Sequence, residues 1–178
     1  MPFQIILVVE ANPNSRSDFV YINSILKEVY DIRSRNDVKI SPVFMGGKGM
    51  YKNKGVVSEI NNKVKEYSYL GNSHVVYCFD TDKYDVNPSD KSALREEEQY
   101  CDKNGYLFVW FCHDIEEVFW GKSVHKNEKT DKSKQYSVSN AVKSLNLNKF
   151  RAASIAKGRS NLLLILDKCF NISHQKMV

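Results

Sequence analysis

The sequence predicts a doubly wound α/β fold with a mainly parallel four-stranded sheet, helices on both faces and a helical C-terminal extension. Short apolar runs alternate with amphipathic helical segments, the pattern of parallel strands joined by crossover helices. At 178 residues and 42% hydrophobic content, the chain has enough apolar residues for one core and little room for a second domain. We therefore expect a single domain.

The first two strand–helix units fill the N-terminal part of the chain. Residues 4–9, QIILVV, contain the uninterrupted apolar run Ile5 to Val9, which is typical of a strand buried on both faces. Apolar residues then recur at helical spacing up to about Tyr30. Residues 38–44 predict a second strand, and residues 56–67 a second amphipathic helix.

The next two strands are also apolar and short. Residues 74–79, HVVYCF, predict the third strand, and Pro88 occupies a position where a helix can begin. Residues 106–112, YLFVWFC, predict the fourth strand, and residues 115–120 a short helix. The α/β core thus extends over residues 1–121.

The C-terminal part, residues 122–178, differs from this core in charge. It carries 12 Lys or Arg and three acids of the chain's 26 and 21, which leaves 14 and 18 for residues 1–121. Residues 122–135 contain almost no apolar residue, which predicts an exposed mobile loop. Apolar residues from 139 onward predict two or three short helices packed on the core.

Three carboxylates follow two of the predicted strands. Glu10 ends the first strand, and Asp80 and Asp82 follow the third, with Asp85 as an accessory oxygen donor. In a sheet of order 2-1-3-4 the first and third strands are neighbours, so these carboxylates face a common point beyond the strand ends. Close carboxylates repel one another unless a cation neutralises them, and hard oxygen ligands favour Mg²⁺ or Mn²⁺. In the alternative interpretation, the aspartates cap the following helix and Glu10 pairs with a lysine.

Basic residues offer contacts for a polyanion. Lys48 belongs to the loop Gly46-Gly47-Lys48-Gly49, which lacks the spacing of a nucleotide-binding loop but is able to touch a phosphate. Lys157 and Arg159 flank a glycine before the last predicted helix, where free N–H groups favour anions. Solvated bases on the surface are the alternative.

Further titratable residues follow the fourth strand. His113 is a candidate proton shuttle, with a helix-start contact to Asp114 as the alternative. Glu116 and Glu117 are about 100° apart on a helix, so we expect Glu116 to face the site and regard Glu117 as accessory. A solvent-facing role is the alternative for each. The run Glu96-Glu97-Glu98 is interpreted as the exposed face of the third helix.

The sequence indicates a cytoplasmic protein without membrane contact. The longest N-terminal apolar run is too short to span a bilayer, and no basic leader or cleavage site accompanies it. The four cysteines are far apart and form no metal-ligand pairing, so we expect buried free thiols.

The first strand ends in a Glu, and the Asp80-Thr81-Asp82 motif follows about seventy residues later. This arrangement resembles the Toprim domain of topoisomerases, primases and nucleases. Residues 112–124, CHDIEEVFWGKSV, look like the C-F-E-x-W segment of RloB-like proteins, small prokaryotic Toprim-related proteins often found with restriction and phage-defence genes. Residues 156–170, AKGRSNLLLILDKCF, are similar to the closing helix of some members. The chain departs from the family's opening motif because Ala11-Asn12-Pro13 follows Glu10.

The resemblance implies a Toprim-like sheet and Mg²⁺-dependent hydrolysis of phosphodiester bonds in DNA or RNA, in prokaryotic antiphage defence. It implies that Glu10 acts as general base or acid, that Glu10, Asp80 and Asp82 bind the metal, and that Glu116 or Glu117 completes a second metal position. The implied partners are a nucleic acid, a partner ATPase or another defence protein, and a second copy of the chain in a homodimer.

Two other functions remain open at this point. The first is a catalytically inactive subunit that binds nucleic acid or a partner protein through its basic C-terminal part. The missing glycine after Glu10 favours it. The second is a flavodoxin-like small-molecule or receiver domain in which Asp80 accepts a phosphoryl group, although no lysine partner is evident in the sequence.

Overall fold

The computed structural model describes residues 1–172 and has one four-stranded sheet. The strands are β1 (Phe3–Val9), β2 (Val38–Phe44), β3 (Asn72–Asp80) and β4 (Leu107–Phe111). All neighbouring strands are parallel, and their order is β2-β1-β3-β4. The predicted fold class is therefore confirmed, and the strand order is the one that makes β1 and β3 neighbours.

Six α-helices surround the sheet in the described part of the chain: α1 (Ser17–Val29), α2 (Lys54–Tyr67), α3 (Pro88–Asn104), α4 (Ile115–Trp120), α5 (Lys129–Val138) and α6 (Leu162–Cys169). Short 3₁₀ turns at residues 126–128, 141–144 and 147–150 connect the last three helices. Asn87 caps α3, and Pro88 is its first residue, because a missing N–H costs nothing there.

Helices on both faces explain why β1 is apolar at every position except Gln4, whose buried amide hydrogen-bonds Ser41 and Ser73 of the two neighbouring strands. Successive strand residues point to opposite faces. Ile5 and Leu7 pack in the cluster that includes α1, α4, α5 and α6. Ile6 and Val8 pack with residues of α2 and α3. A strand buried on both sides accepts a polar residue only where neighbouring groups complete its hydrogen bonds, as they do at Gln4.

The polar segment after α4 is helical, which corrects the prediction of an exposed mobile loop. Residues 126–128 form a 3₁₀ turn and residues 129–138 form α5. Tyr136 is buried against Tyr21 and Phe119, and Ser133 is also buried. Two buried residues on a ten-residue helix leave too weak an apolar period to be recognised in a charged sequence.

Two smaller observations complete the fold. All four cysteines are buried free thiols, as the sequence predicted. Within residues 1–172, no helix is long and apolar enough to cross a membrane. The predicted C-terminal part, residues 122–178, includes residues 173–178, which lie outside the described residues.

Candidate functional site

The ends of β1 and β3 bring two of the predicted acids together. Val9 is paired with Cys78 in the parallel register, so Glu10 and Asp80 follow at the same edge of the sheet. The Asp80 N–H donates a hydrogen bond of 3.0 Å to Glu10 Oε1. Asp80 Oδ1 accepts a bond of 2.9 Å from the Ile115 N–H at the start of α4. The capping alternative thus applies to Asp80, but at α4 and not at the following helix.

Asp82 lies in a tight turn joined to the end of β4. Its N–H donates to the His113 carbonyl at 2.9 Å, and the His113 N–H donates to Thr81 Oγ1 at 2.8 Å. Asp82 and His113 both adopt the left-handed backbone region, with φ of 47° and 63°. This conformation is uncommon outside glycine and concentrates at functional sites.

The carboxylates at this edge are poorly neutralised. Burial, followed by the charges of Asp18, Glu97 and Asp82, raises the pKa of Glu10 to about 8, although the Asp80 N–H acts in the opposite direction. Burial and then the charge of Glu10 raise the pKa of Asp80 well above its usual range. A divalent cation would remove this repulsion and favour the ionised forms.

The sequence reasoning missed Asp18, a neighbour of these acids in the first turn of α1. Its Oδ2 accepts a hydrogen bond of 2.8 Å from the Ala11 N–H, immediately after Glu10. Burial raises the pKa of Asp18 as well. The loop between β1 and α1 thus places a second acid, Asp18, beside the end of β1. This acid does not itself end a strand, so an argument from strand ends does not identify it.

Glu116 faces the same cluster from α4 and pairs with Lys129 of α5. Glu116 is fully buried, and its Oε2 is 2.7 Å from Lys129 Nζ. Its Oε1 has no hydrogen-bond partner. Burial alone would lower the pKa of Lys129, but the bond to Glu116 and the nearby acids raise it. Lys129 thus places a cation beside these acids, and no motif or spacing in the sequence indicates it.

Lys48 provides a second internal cation. It belongs to the loop after β2, where Gly46, Gly47 and Gly49 all have positive φ, which glycine adopts without steric cost. Because β1 lies between β2 and β3, Lys48 reaches across the end of β1. Its amine forms an ion pair with Asp82 and lies 3.5 Å from Asp90 Oδ1. The predicted phosphate contact therefore lies at the site, with its amine held by two acids.

Glu97 is a third residue that sequence reasoning missed, after Asp18 and Lys129. Within the run Glu96-Glu97-Glu98 only Glu97 is buried, at 1% exposure, so the interpretation of this run as an exposed face is wrong for its middle residue. Its Oε2 has no hydrogen-bond partner. The helical period Leu94, Glu97, Cys101 marks the buried face of α3 and was the available signal.

The accessory residues line a separate cleft of about 410 Å³ beside Asp82. His113 Nδ1 lies 3.1 Å from Glu117 Oε2, and His113 Nε2 lies 3.5 Å from Asp85 Oδ2. Glu117 is buried, so the solvent-facing alternative is wrong for both Glu116 and Glu117. The two glutamates have different partners, as their angular separation on α4 predicted.

Lys157 and Arg159 lie at the open edge of the sheet beside β4. The Cys112 N–H donates to the Arg159 carbonyl at 3.0 Å, and Ser160 forms an antiparallel bridge with Phe111. Both basic residues are exposed. They lie at the same end of the sheet as Asp80, because the carboxyl ends of parallel strands all lie at one end of the sheet.

The donor chemistry of the site suits a hard divalent cation, although no ready-made cage exists. Glu10, Asp80 and Asp82 supply carboxylate oxygens of the type that Mg²⁺ and Mn²⁺ prefer. Two buried carboxylate oxygens, Glu116 Oε1 and Glu97 Oε2, have no partner. Within residues 1–172, no three acids, histidines or cysteines converge closely enough to hold a metal as they stand. Lys48 and Lys129 instead supply positive charge.

Comparisons with family models, curated proteins and solved structures find no match to this chain.

Proposed function

We propose that this protein is a Mg²⁺- or Mn²⁺-dependent nuclease that hydrolyses phosphodiester bonds in DNA or RNA. The observation that carries the proposal is the convergence of Glu10 and Asp80, which the 3.0 Å hydrogen bond from the Asp80 N–H to Glu10 Oε1 joins. Both lie at the ends of adjacent parallel strands, and burial, followed by the charges of neighbouring acids, raises the pKa of each. Such a site gains stability from a cation that binds hard oxygen ligands.

The proposed roles follow from position. Glu10, Asp80 and Asp82 would hold the cation, which would neutralise the attacked phosphate and favour ionisation of a water nucleophile. The resemblance to Toprim domains adds a role as general acid or base for Glu10, whose carboxylate lies beside Asp80 at the strand ends. The buried Oε1 of Glu116 has no hydrogen-bond partner, so it would be available for a second catalytic contact. The exposed Lys157 and Arg159 would bind the phosphates of the substrate backbone.

The decisive experiment combines metal binding with cleavage. Calorimetric titration with Mn²⁺ and cleavage of labelled DNA and RNA would compare the wild type with Asp80→Asn and Asp82→Asn. We expect both variants to lose Mn²⁺ binding and to cut at least about a thousandfold more slowly, roughly 4 kcal/mol of transition-state stabilisation. Asp102→Asn is the matched control, since this acid on α3 is exposed and should change neither property.

A wild type that binds no Mn²⁺ at millimolar concentration overturns the nuclease proposal. Equal cleavage by Asp80→Asn and by the wild type would also overturn the proposal, because the cleavage would then come from a contaminant or from another part of the chain. The resemblance to RloB-like proteins extends the proposal to antiphage defence, with an ATPase as a partner to be sought by co-purification from the native host.

A catalytically inactive nucleic-acid-binding subunit is the second candidate. The observation that favours it is the pairing of site acids with Lys48 and Lys129, which already supplies the positive charge a metal would bring. In that case, Lys157→Gln combined with Arg159→Gln weakens DNA or RNA binding, and EDTA changes nothing. Binding that needs Mg²⁺ and disappears in Asp80→Asn argues against this candidate.

A further inference from the structure

A groove of about 510 Å³, which we call the α1 groove, lies between α1 and residues 137–143. Its lining follows one side of α1 from Arg16, just before the helix, to Arg33, just after it. The 13 residues of α1 give the groove a length of about 20 Å. Asp18, in the first turn of α1, bonds the Ala11 N–H next to Glu10. The Arg16 end of the groove therefore lies at the end of the sheet that carries the proposed site.

The rim of the α1 groove is basic. Its lining contains four cations and two acids. Among residues 1–172, none of the four cations forms an ion pair, so their charge is available to an external anion. The cations are Arg16, Lys27, Arg33 and Lys143, and the acids are Glu28 and Asp31.

Arg16 is the independent sign of a ligand. It occupies the N-cap of α1 but makes no side-chain cap hydrogen bond, although this position favours residues whose side chains accept one. Its guanidinium lies 5.6 Å from the centroid of the Phe19 ring and 5.5 Å from that of Phe44. These contacts hold an exposed cation at the end of the groove nearest to Glu10. A guanidinium fixed in this way suits the recognition of a phosphate.

The floor of the α1 groove is apolar. Phe19 and Val142 line the groove, are half-buried and pack against the core. A single strand exposes the faces of its bases, which stack on aromatic side chains, whereas a duplex keeps those faces inside its own stack. Asn23 and Ser24 add neutral polar groups to the lining, of the kind that contact phosphates and sugars. A basic rim above an apolar floor therefore favours a single strand over a duplex.

We propose that the α1 groove binds single-stranded DNA or RNA, with the phosphates on its basic rim and the bases against its apolar floor. The inference rests on the proposed function for the choice of a nucleic acid as partner, and it deepens that function by naming the single strand as substrate. A strand that leaves the groove at Arg16 reaches Glu10 and Asp80. Lys157 and Arg159 lie at the same end of the sheet, beside β4.

Fluorescence anisotropy of labelled oligonucleotides tests the proposal on the full chain, in EDTA to prevent metal-dependent cleavage. We expect a single strand to bind at least about tenfold more tightly than a duplex of the same sequence. Lys27→Gln combined with Lys143→Gln should weaken single-strand binding by at least about tenfold. The slope of log K against log salt concentration should become less steep by about 1.4, because each lost phosphate contact removes about 0.7.

Matched controls separate these effects from a general change of charge. Lys54→Gln combined with Lys65→Gln removes two exposed lysines of α2, which packs on the other face of the sheet. This variant should change single-strand binding by no more than about twofold. Phe19→Leu keeps the floor apolar but removes the ring, so it should weaken single-strand binding by about fivefold and leave duplex binding unchanged. Circular dichroism verifies that each variant is folded.

Each outcome supports or overturns the inference. Single-strand binding that depends on Lys27, Lys143 and Phe19 but not on the control lysines supports it. Equal binding by the two double variants overturns it, and so does a wild type that binds a duplex as tightly as a single strand. Poly-glutamate that displaces the bound strand as well as an unlabelled strand does would assign the groove to an acidic protein and also overturn it.

The nuclease proposal is decided separately, by Mn²⁺ binding and cleavage in the wild type and Asp80→Asn. A groove that fails its test leaves the nuclease proposal standing. A wild type that binds no Mn²⁺ but binds single strands through Lys27 and Lys143 overturns the nuclease proposal and supports the groove.

Discussion

Two buried acids on opposite helices of this protein have very different surroundings. Asp167 on α6 accepts a hydrogen bond of 2.7 Å from the Tyr30 hydroxyl through Oδ1, and its Oδ2 pairs with Arg151. Glu97 on α3 is more deeply buried, at 1% exposure against 5%, yet one of its oxygens has no partner. One acid is fully bonded within the chain, and the other is not.

The difference separates a structural acid from a site acid. A buried carboxylate is tolerated when hydrogen bonds and an opposite charge replace its water. Tyr30, Arg151 and Asp167 meet this condition and join α1, the segment before α6, and α6 itself. Glu97 does not meet it, so its burial keeps a free-energy cost.

The largest effect that tests this comparison is expected at Asp167. Asp167→Asn should lower the free energy of unfolding by about 3 kcal/mol, because it removes the charge that Arg151 pairs with in a buried place. Urea unfolding at pH 7 measures it through the transition midpoint. Asp131→Asn, an exposed acid on α5, should unfold like the wild type. An unchanged midpoint for Asp167→Asn would contradict the structural role.

A smaller effect of opposite sign is expected at Glu97. Native Glu97 keeps its proton up to about pH 7, whereas the unfolded chain loses it near 4.5. The native state therefore binds more protons between these values, and wild-type stability falls as the pH rises through them. Glu97→Gln removes this penalty and should raise the free energy of unfolding by about 2 kcal/mol at pH 8 and change it little at pH 4.5.

Urea titrations of Glu97→Gln at pH 4.5, 6 and 8, without metal and with EDTA, provide the measurement. Glu96→Gln is the control, because its exposed carboxylate should give no pH-dependent gain. A loss of stability at pH 8, or the same change at all three pH values, would mean that Glu97 is as well accommodated as Asp167. The contrast between the two acids would then disappear.

The fold was predictable because its strands are buried on both faces. An uninterrupted run such as residues 4–9 has few stable alternatives to a central parallel strand, and right-handed crossovers then restrict the order of the strands. The same logic correctly brought Glu10 and Asp80 to one edge. Residues at strand ends can be located from the sequence because their positions depend on backbone topology alone.

The other residues of the site could not be predicted in this way because they lie on the faces of helices. Asp18, Glu97 and Lys129 approach from α1, α3 and α5, so their positions depend on how each helix is rotated about its axis. For Glu97 the spacing from Leu94 to Cys101 held that information, although two neighbouring glutamates obscured it. For Lys129, the charged composition of α5 concealed the helix itself.

The smallest test compares two buried tyrosines whose rings are 5.2 Å apart. The Tyr21 hydroxyl accepts a hydrogen bond of 2.9 Å from Trp120 Nε1, whereas the Tyr136 hydroxyl has no partner. Tyr21→Phe should therefore destabilise the protein by about 1 kcal/mol, and Tyr136→Phe should stabilise it by up to about 1 kcal/mol. Thermal unfolding of the two variants measures the difference. If both variants lose the same stability, a missing hydrogen-bond partner has no energetic effect in this core, and the unpaired oxygen of Glu97 would no longer distinguish it from Asp167.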